Sequence, residues 1–161
     1  MLIFVNFYYM KKMTRWGIGP IFGIYTACYS ILMYWINTLL PTTFIFPFQI
    51  EIGISLIIIG FILFIYPAIT IDKYFNEGKL RTNGMYKICR HPIYVSWILI
   101  IIPGIVLCWG SIIGLSIPLY SYLVFRSFIY KEENYLANKF NSEYFTYKSS
   151  INVIFPKIKI L

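Results

Sequence analysis

"IEIGISLIIIGFILFIYPAITI", residues 50–71, carries one charged side chain, Glu51, and is otherwise almost wholly apolar. A helix needs about 20 such residues to cross roughly 30 Å of hydrocarbon. The stretch therefore reads as a membrane span. Working toward the N-terminus, "LPTTFIFPF" (40–48) has two prolines and no charge, as expected of a short turn, and Trp16 to Leu39 is apolar enough for another span. The leading "MLIFVNFYYMKKM" (1–13) has its charge after a short apolar run, so it is expected to stay uncleaved and to lie in the membrane interface.

Toward the C-terminus, Asp72 to Arg90 is polar, and the chain is then apolar from Pro92 to Phe125 apart from "CWGS" (108–111). That interruption predicts a tight hairpin of two short helices, 92–108 and 111–126. Pro103 and Pro118 are expected to kink its arms and Trp109 to anchor its tip. From Ser127 to Lys148, Phe128, Tyr135, Leu136, Phe140, Tyr144 and Tyr147 recur at spacings of three and four between charged residues. This pattern predicts an amphipathic helix, 127–148, broken near Asn141 and Ser142, followed by a basic surface tail, "VIFPKIKIL" (153–161). The expected architecture is all-α: a single-domain (1–161) multi-pass transmembrane bundle of four helices, about 16–39, 50–71, 92–108 and 111–126, with an amphipathic C-terminal helix on the cytosolic face.

Composition agrees. The 161 residues are 59% hydrophobic and 20% aromatic, with a mean hydropathy of +0.71, outside the range of soluble domains. The net charge of +8 comes from 14 basic residues confined to 11–15, 73–90 and 126–159. Such confinement is the positive-inside pattern, which places both termini and the basic loop on the cytosolic side and argues against a nucleic-acid face. A bacterial inner membrane fits, as does the endoplasmic reticulum, for which "KIKIL" (157–161) resembles a retrieval signal. Cys28, Cys89 and Cys108 form no C-x-x-C pair, so neither a metal site nor a disulfide framework is expected.

"GIGPIFG" (17–23) has the wrong spacing for a dinucleotide loop. The pairs Gly19/Gly23 and Gly110/Gly114 predict close helix packing. "GKLRTNGMYKICRHPIY" (78–94) is richer: Lys79, Arg81, Lys87, Arg90 and the chain's one histidine, His91, gather ahead of a helix opening at Pro92. Interfacial anchoring accounts for lysines and tyrosines at such a place. Glu132 and Glu133 follow the last apolar run on the same side, and cations facing paired acids make a site for a zwitterionic, polyhydroxylated ligand.

The ordered set G-x-Y, R-H-P-x-Y, an E-E pair, F-x-x-E-Y-x-x-Y and a closing proline, over residues 78–156, resembles the membrane-embedded isoprenylcysteine carboxyl methyltransferases and the related phospholipid methyltransferases. The resemblance implies an S-adenosylmethionine-dependent methyltransferase working at the cytosolic interface on a lipid-like acceptor, with no metal and no obligate protein partner. It implies that Lys79, Leu80, Arg81 and Tyr86 line the cofactor, that His91, Pro92, Ile93 and Tyr94 form its main wall with the imidazole toward its carboxylate, and that Glu132 and Glu133 contact it. The family's substrate-side arginine, four residues before the first acid, is here Phe128, and Arg126 is the nearest substitute. The acceptor is expected to be an isoprenylcysteine-type carboxylate. Phosphatidylethanolamine N-methylation, a sterol-reductase-like oxidoreductase and a non-catalytic membrane scaffold are the alternatives.

Overall fold

The computed structural model describes residues 16–154, apart from the side chains of residues 72 and 75. The expectations for residues 1–13 and for the tail beyond Ile154 lie outside the described residues. Those residues are helical with no strand, a lone β-bridge joining Thr43 to Ser111. Helices α1 (Gly19–Leu39) and α2 (Gln49–Asn76) are followed by a 3-10 turn at Gly84–Lys87. Then come α3 (Pro92–Trp109) and α4 (Ser116–Ser150). Among the described residues four helices are long and apolar enough to cross a membrane, and α3 is the most buried of them. The outer faces of α1 and α2 expose Ile24, Ile31, Trp35, Ile58, Ile62 and Ile69, as expected of a chain whose solvent on that side is lipid.

The hairpin turn lies where "CWGS" predicts it. Gly110 adopts φ 70°, the left-handed conformation that ends a helix most readily at glycine. The linker between α1 and α2, with the helix ends beside it, latches this tip: the Phe44 amide donates to the Gly110 carbonyl (2.9 Å), Gln49 Nε2 donates to the Leu107 carbonyl (2.6 Å), and Ser111 Oγ donates to Asn37 Oδ1 (2.8 Å). Ahead of Pro103, which has no N–H to offer, α3 widens into a π turn at Trp97–Ile101. Pro118 sits in the first turn of α4, where an amide hydrogen has no intrahelical partner to lose, so the kink expected there is unnecessary.

Of the two glycine pairs expected to pack closely, Gly110 and Gly114 do, a Cβ on them coming within 2.8 Å of Gln49 Nε2 and 2.9 Å of the Trp109 ring, whereas Gly19 and Gly23 do not and Gly53 and Gly60 take the close contacts between helices. A Cβ on Gly53 would come within 2.5 Å of Cys108 Sγ and 2.8 Å of the Gly104 carbonyl, and one on Gly60 within 2.5 Å of Ile101, so α2 and α3 touch along backbone. Gly23, by contrast, would meet nothing within 4 Å, and Gly19 only the Tyr94 hydroxyl at 4.0 Å. The reason is topological: α1 packs along α4 and α2 along α3. The small face of α1 is left toward a cavity instead of a helix.

The amphipathic segment expected from residue 127 is not a separate element. It continues the second hairpin arm as α4, whose 35 residues would run about 52 Å if straight. Asn141, with φ 45° and ψ −123°, breaks it where expected. The turn sends Tyr144, Tyr147 and Lys148 back over the polar loop, so Lys148 Nζ reaches Glu133 Oε2 at 2.8 Å. In a straight helix those two residues would be about 22 Å apart.

Candidate active site

Three remote segments meet at the basic end of the bundle: the loop of residues 79–91, the start of α3, and α4 on both sides of its break. Tyr147 Oη donates to the Tyr86 carbonyl (2.7 Å), and the Arg90 amide donates to the Asn152 carbonyl (2.9 Å). Leu80, Tyr86, Tyr144 and Tyr147 form the apolar seam between loop and returning helix. These contacts fix the loop against α4, and the charged residues sit along that junction.

His91 is 4% exposed and lies between the two acids. Its Nδ1 is 3.6 Å from Glu132 Oε1 and its Nε2 is 3.7 Å from Glu133 Oε1. Burial pushes the imidazole toward neutrality, but the two carboxylates outweigh it and hold its pKa above the ordinary value. Glu133 also pairs with Arg90 Nη2 (2.8 Å) and with Lys148. Glu132 Oε2 accepts from the Tyr94 hydroxyl (3.0 Å) and from the Ile18 amide (3.3 Å). Burial pushes the Cys89 thiol up to about 11 and the Tyr86 phenol well above its ordinary value, which leaves neither a ready nucleophile.

A cavity of about 560 Å³ opens from this cluster, a size suited to small-molecule ligands. Its polar end presents Arg81, Arg90, His91 and Glu132. From there it runs between α1 (Phe22, Gly23, Thr26, Ala27, Ser30) and α2 (Phe64, Ala68, Ile71), over Trp97, Ile102 and Ile105 of α3. One void thus has a charged end and an apolar body.

Of the residues singled out from sequence, Lys79, Leu80, Arg81, Tyr86, His91, Ile93, Tyr94 and Glu132 line this cavity. Pro92 is fully buried beneath the wall, and Glu133 stands behind His91. Both ring nitrogens of His91 face carboxylates of its own chain, so the imidazole is not directed at a ligand carboxylate. Arg126 is exposed and lines a separate groove with Tyr122, Lys148 and Asn152. Six residues turn a helix through about 600°, which sets Arg126 about 120° away from Glu132. Phe128 packs on Tyr25 and lies under Lys131 Nζ at 5.1 Å.

Sequence reasoning missed the contribution of α1 and α2. Gly17 has φ 55°, and a Cβ there would collide with the Glu132 carboxylate. The discarded "GIGPIFG" therefore matters for its first glycine, which lets the chain cross the acid. The run Gly19, Gly23, Thr26, Ala27, Ser30 was a legible small-residue stripe, but its spacing does not say whether a helix or a ligand covers it.

Residues 53–138 match the family described as "Isoprenylcysteine carboxyl methyltransferase (ICMT) family". Over 84 residues the chain is 36% identical to the protein-S-isoprenylcysteine O-methyltransferase of Mus musculus, 34% to that of Rattus norvegicus and 36% to that of Homo sapiens. Each alignment covers 52% of this chain and 30% of the relative. No solved structure is a significant match.

Proposed function

The chain belongs to the isoprenylcysteine carboxyl methyltransferase family, and from that premise we propose that it transfers a methyl group from S-adenosylmethionine to the carboxylate of an isoprenylcysteine-type acceptor at the cytosolic face of a membrane. The observation that carries this reading is the two-natured cavity: charged groups at one end, apolar walls between α1 and α2. A water-borne donor and a lipid-borne acceptor can meet only where both phases are at hand.

The residues present fit the donor. Glu132 offers a fixed carboxylate to a ligand's hydroxyl or amino group, Arg81 offers a buried cation, and Tyr86, Tyr94 and Trp97 provide flat apolar surface. When bound, S-adenosylmethionine supplies a methyl group on a sulfonium that already is a leaving group, and the acceptor carboxylate is already ionised. The protein's task is alignment and exclusion of water.

This chain's residues divide that task. Tyr94, the Ile18 amide and His91 fix Glu132 from three directions, so its charge is oriented before a ligand arrives. His91 is a positioning residue, joining Glu132 to the Glu133–Arg90–Lys148 network. Phe22, Phe64 and Trp97 close the apolar body around the acceptor's chain. The product ester has lost the acceptor's charge and partitions back toward lipid.

The test is transfer of a tritiated methyl group by the purified full chain, with N-acetyl-S-farnesylcysteine and phosphatidylethanolamine offered in parallel. Label on the prenylcysteine, released by mild base as methanol, is expected. Base-stable label in phosphatidylethanolamine, or no label on the prenylcysteine, overturns the assignment.

A further inference from the structure

Buried charges are expensive to leave unpaired, and among the described residues Arg90 and His91 are buried with partners. Arg90 and Lys148 share Glu133, and His91 faces both acids. Arg81 is different. It is 5% exposed, its Nε and Nη1 are buried without a hydrogen-bond partner, and it has no ion pair among the described residues. Its guanidinium carbon lies 5.7, 5.2 and 5.0 Å from the ring centres of Tyr66, Tyr74 and Tyr86. Aromatic faces stabilise a cation, but they do not substitute for in-plane acceptors of its N–H groups.

The same side chain lines the main cavity. On the methyltransferase reading above, we infer that Arg81 is a carboxylate seat: its planar fork, held by three tyrosines, receives the carboxylate of a bound ligand. The charge inventory favours a carboxylate over a phosphate. Of the cavity's other cations, Arg90 is held by Glu133, Lys79 by Glu77, and Lys139 lies over Tyr135 and Phe140, so one guanidinium is left to match one negative charge, and Glu132 on the same cavity would repel a second.

Two ligands of the reaction carry a carboxylate, the amino-acid end of the donor and the acceptor, and binding separates them. Isothermal titration of the full chain in detergent would use wild type, Arg81→Gln and Arg81→Lys. The ligands are S-adenosylhomocysteine, its carboxylate-free relative 5′-methylthioadenosine, N-acetyl-S-farnesylcysteine and its carboxamide. Arg81→Gln is expected to weaken one of the two acids about 10- to 100-fold, the range for losing hydrogen bonds to a charged group. Its carboxylate-free counterpart should bind within twofold of wild type, which also reports an intact fold. Arg81→Lys, with charge but no fork, should fall between. Loss confined to S-adenosylhomocysteine assigns the seat to the donor, and loss confined to the farnesylcysteine assigns it to the acceptor. Unchanged binding of both acids, or equal loss of acid and counterpart, overturns the seat alone. If wild type binds neither acid saturably, the methyltransferase reading fails and the inference falls with it.

Discussion

Replacing Glu132 with glutamine keeps the side chain's volume but removes the charge 3.6 Å from His91 Nδ1. At an effective dielectric of about 20, two unit charges at that distance attract by roughly 4 to 5 kcal/mol, and breaking a buried pair typically costs about 3 to 5 kcal/mol. The amide still accepts from Tyr94 and the Ile18 amide, so the expected loss is at the low end, about 3 kcal/mol. For a chain of this length that corresponds to a fall of about 6 to 12 °C in Tm. The loss should depend on pH with a definite sign. In the wild type His91's pKa is raised in the folded state, so its contribution is fully present below the unfolded value of about 6.5 and is lost as pH rises through the folded value. Glu132→Gln removes much of that contribution. Wild type and variant should therefore differ most at pH 5.5 and least at strongly alkaline pH. Thermal unfolding of the purified protein across that range measures it, and an equal Tm difference at every pH would refute the pairing of His91 with Glu132.

Asn141 holds a positive φ that glycine adopts freely, so Asn141→Gly is expected to raise stability by up to about 1 kcal/mol and Asn141→Val to lower it by about 1 to 2 kcal/mol, read by thermal unfolding. Gly53→Leu forces a side chain against Cys108 and the Gly104 backbone. It should cost about 3 kcal/mol or more, seen as loss of monodisperse protein in size-exclusion chromatography. Gly23→Leu faces open cavity. It should leave S-adenosylhomocysteine affinity within twofold while raising KM for geranylgeranyl acceptors more than for farnesyl ones. Arg126→Ala, outside the main cavity, should keep kcat/KM within about twofold in the tritium assay, since exposed charges contribute little.

The parts of the site carried by short contiguous runs were open to reading. "KLR" and "RHPIY" supply seven of the cavity's lining residues within 16 positions, and their local chemistry is visible without knowing where they go. Glu132 was recognisable through its place after the last apolar run. Its orientation was not, because helical phase relative to a distant loop depends on where α4 begins and how α3 bulges at Trp97–Ile101. The same uncertainty misplaced Arg126, two residues from the position where a cation was sought and on another face. His91's two acidic neighbours come from a helix about 40 residues away, and nothing near His91 in the chain announces them.

The amino-acid sequence by itself determined the solvent and the spans. Around 20 apolar residues in a row leave their backbone no partners in lipid except one another, so helices at those positions follow from composition alone. It also determined the breaks, because Gly110 and Asn141 act through their own backbone preferences. Which helices touch, and which leave a gap, only the tertiary structure decided. Two glycines that both lie inside apolar helical runs behave oppositely: Gly53 meets the Gly104 carbonyl, and Gly23 meets open space. Packing is a property of pairs of surfaces, and one strand of text holds only half of each pair.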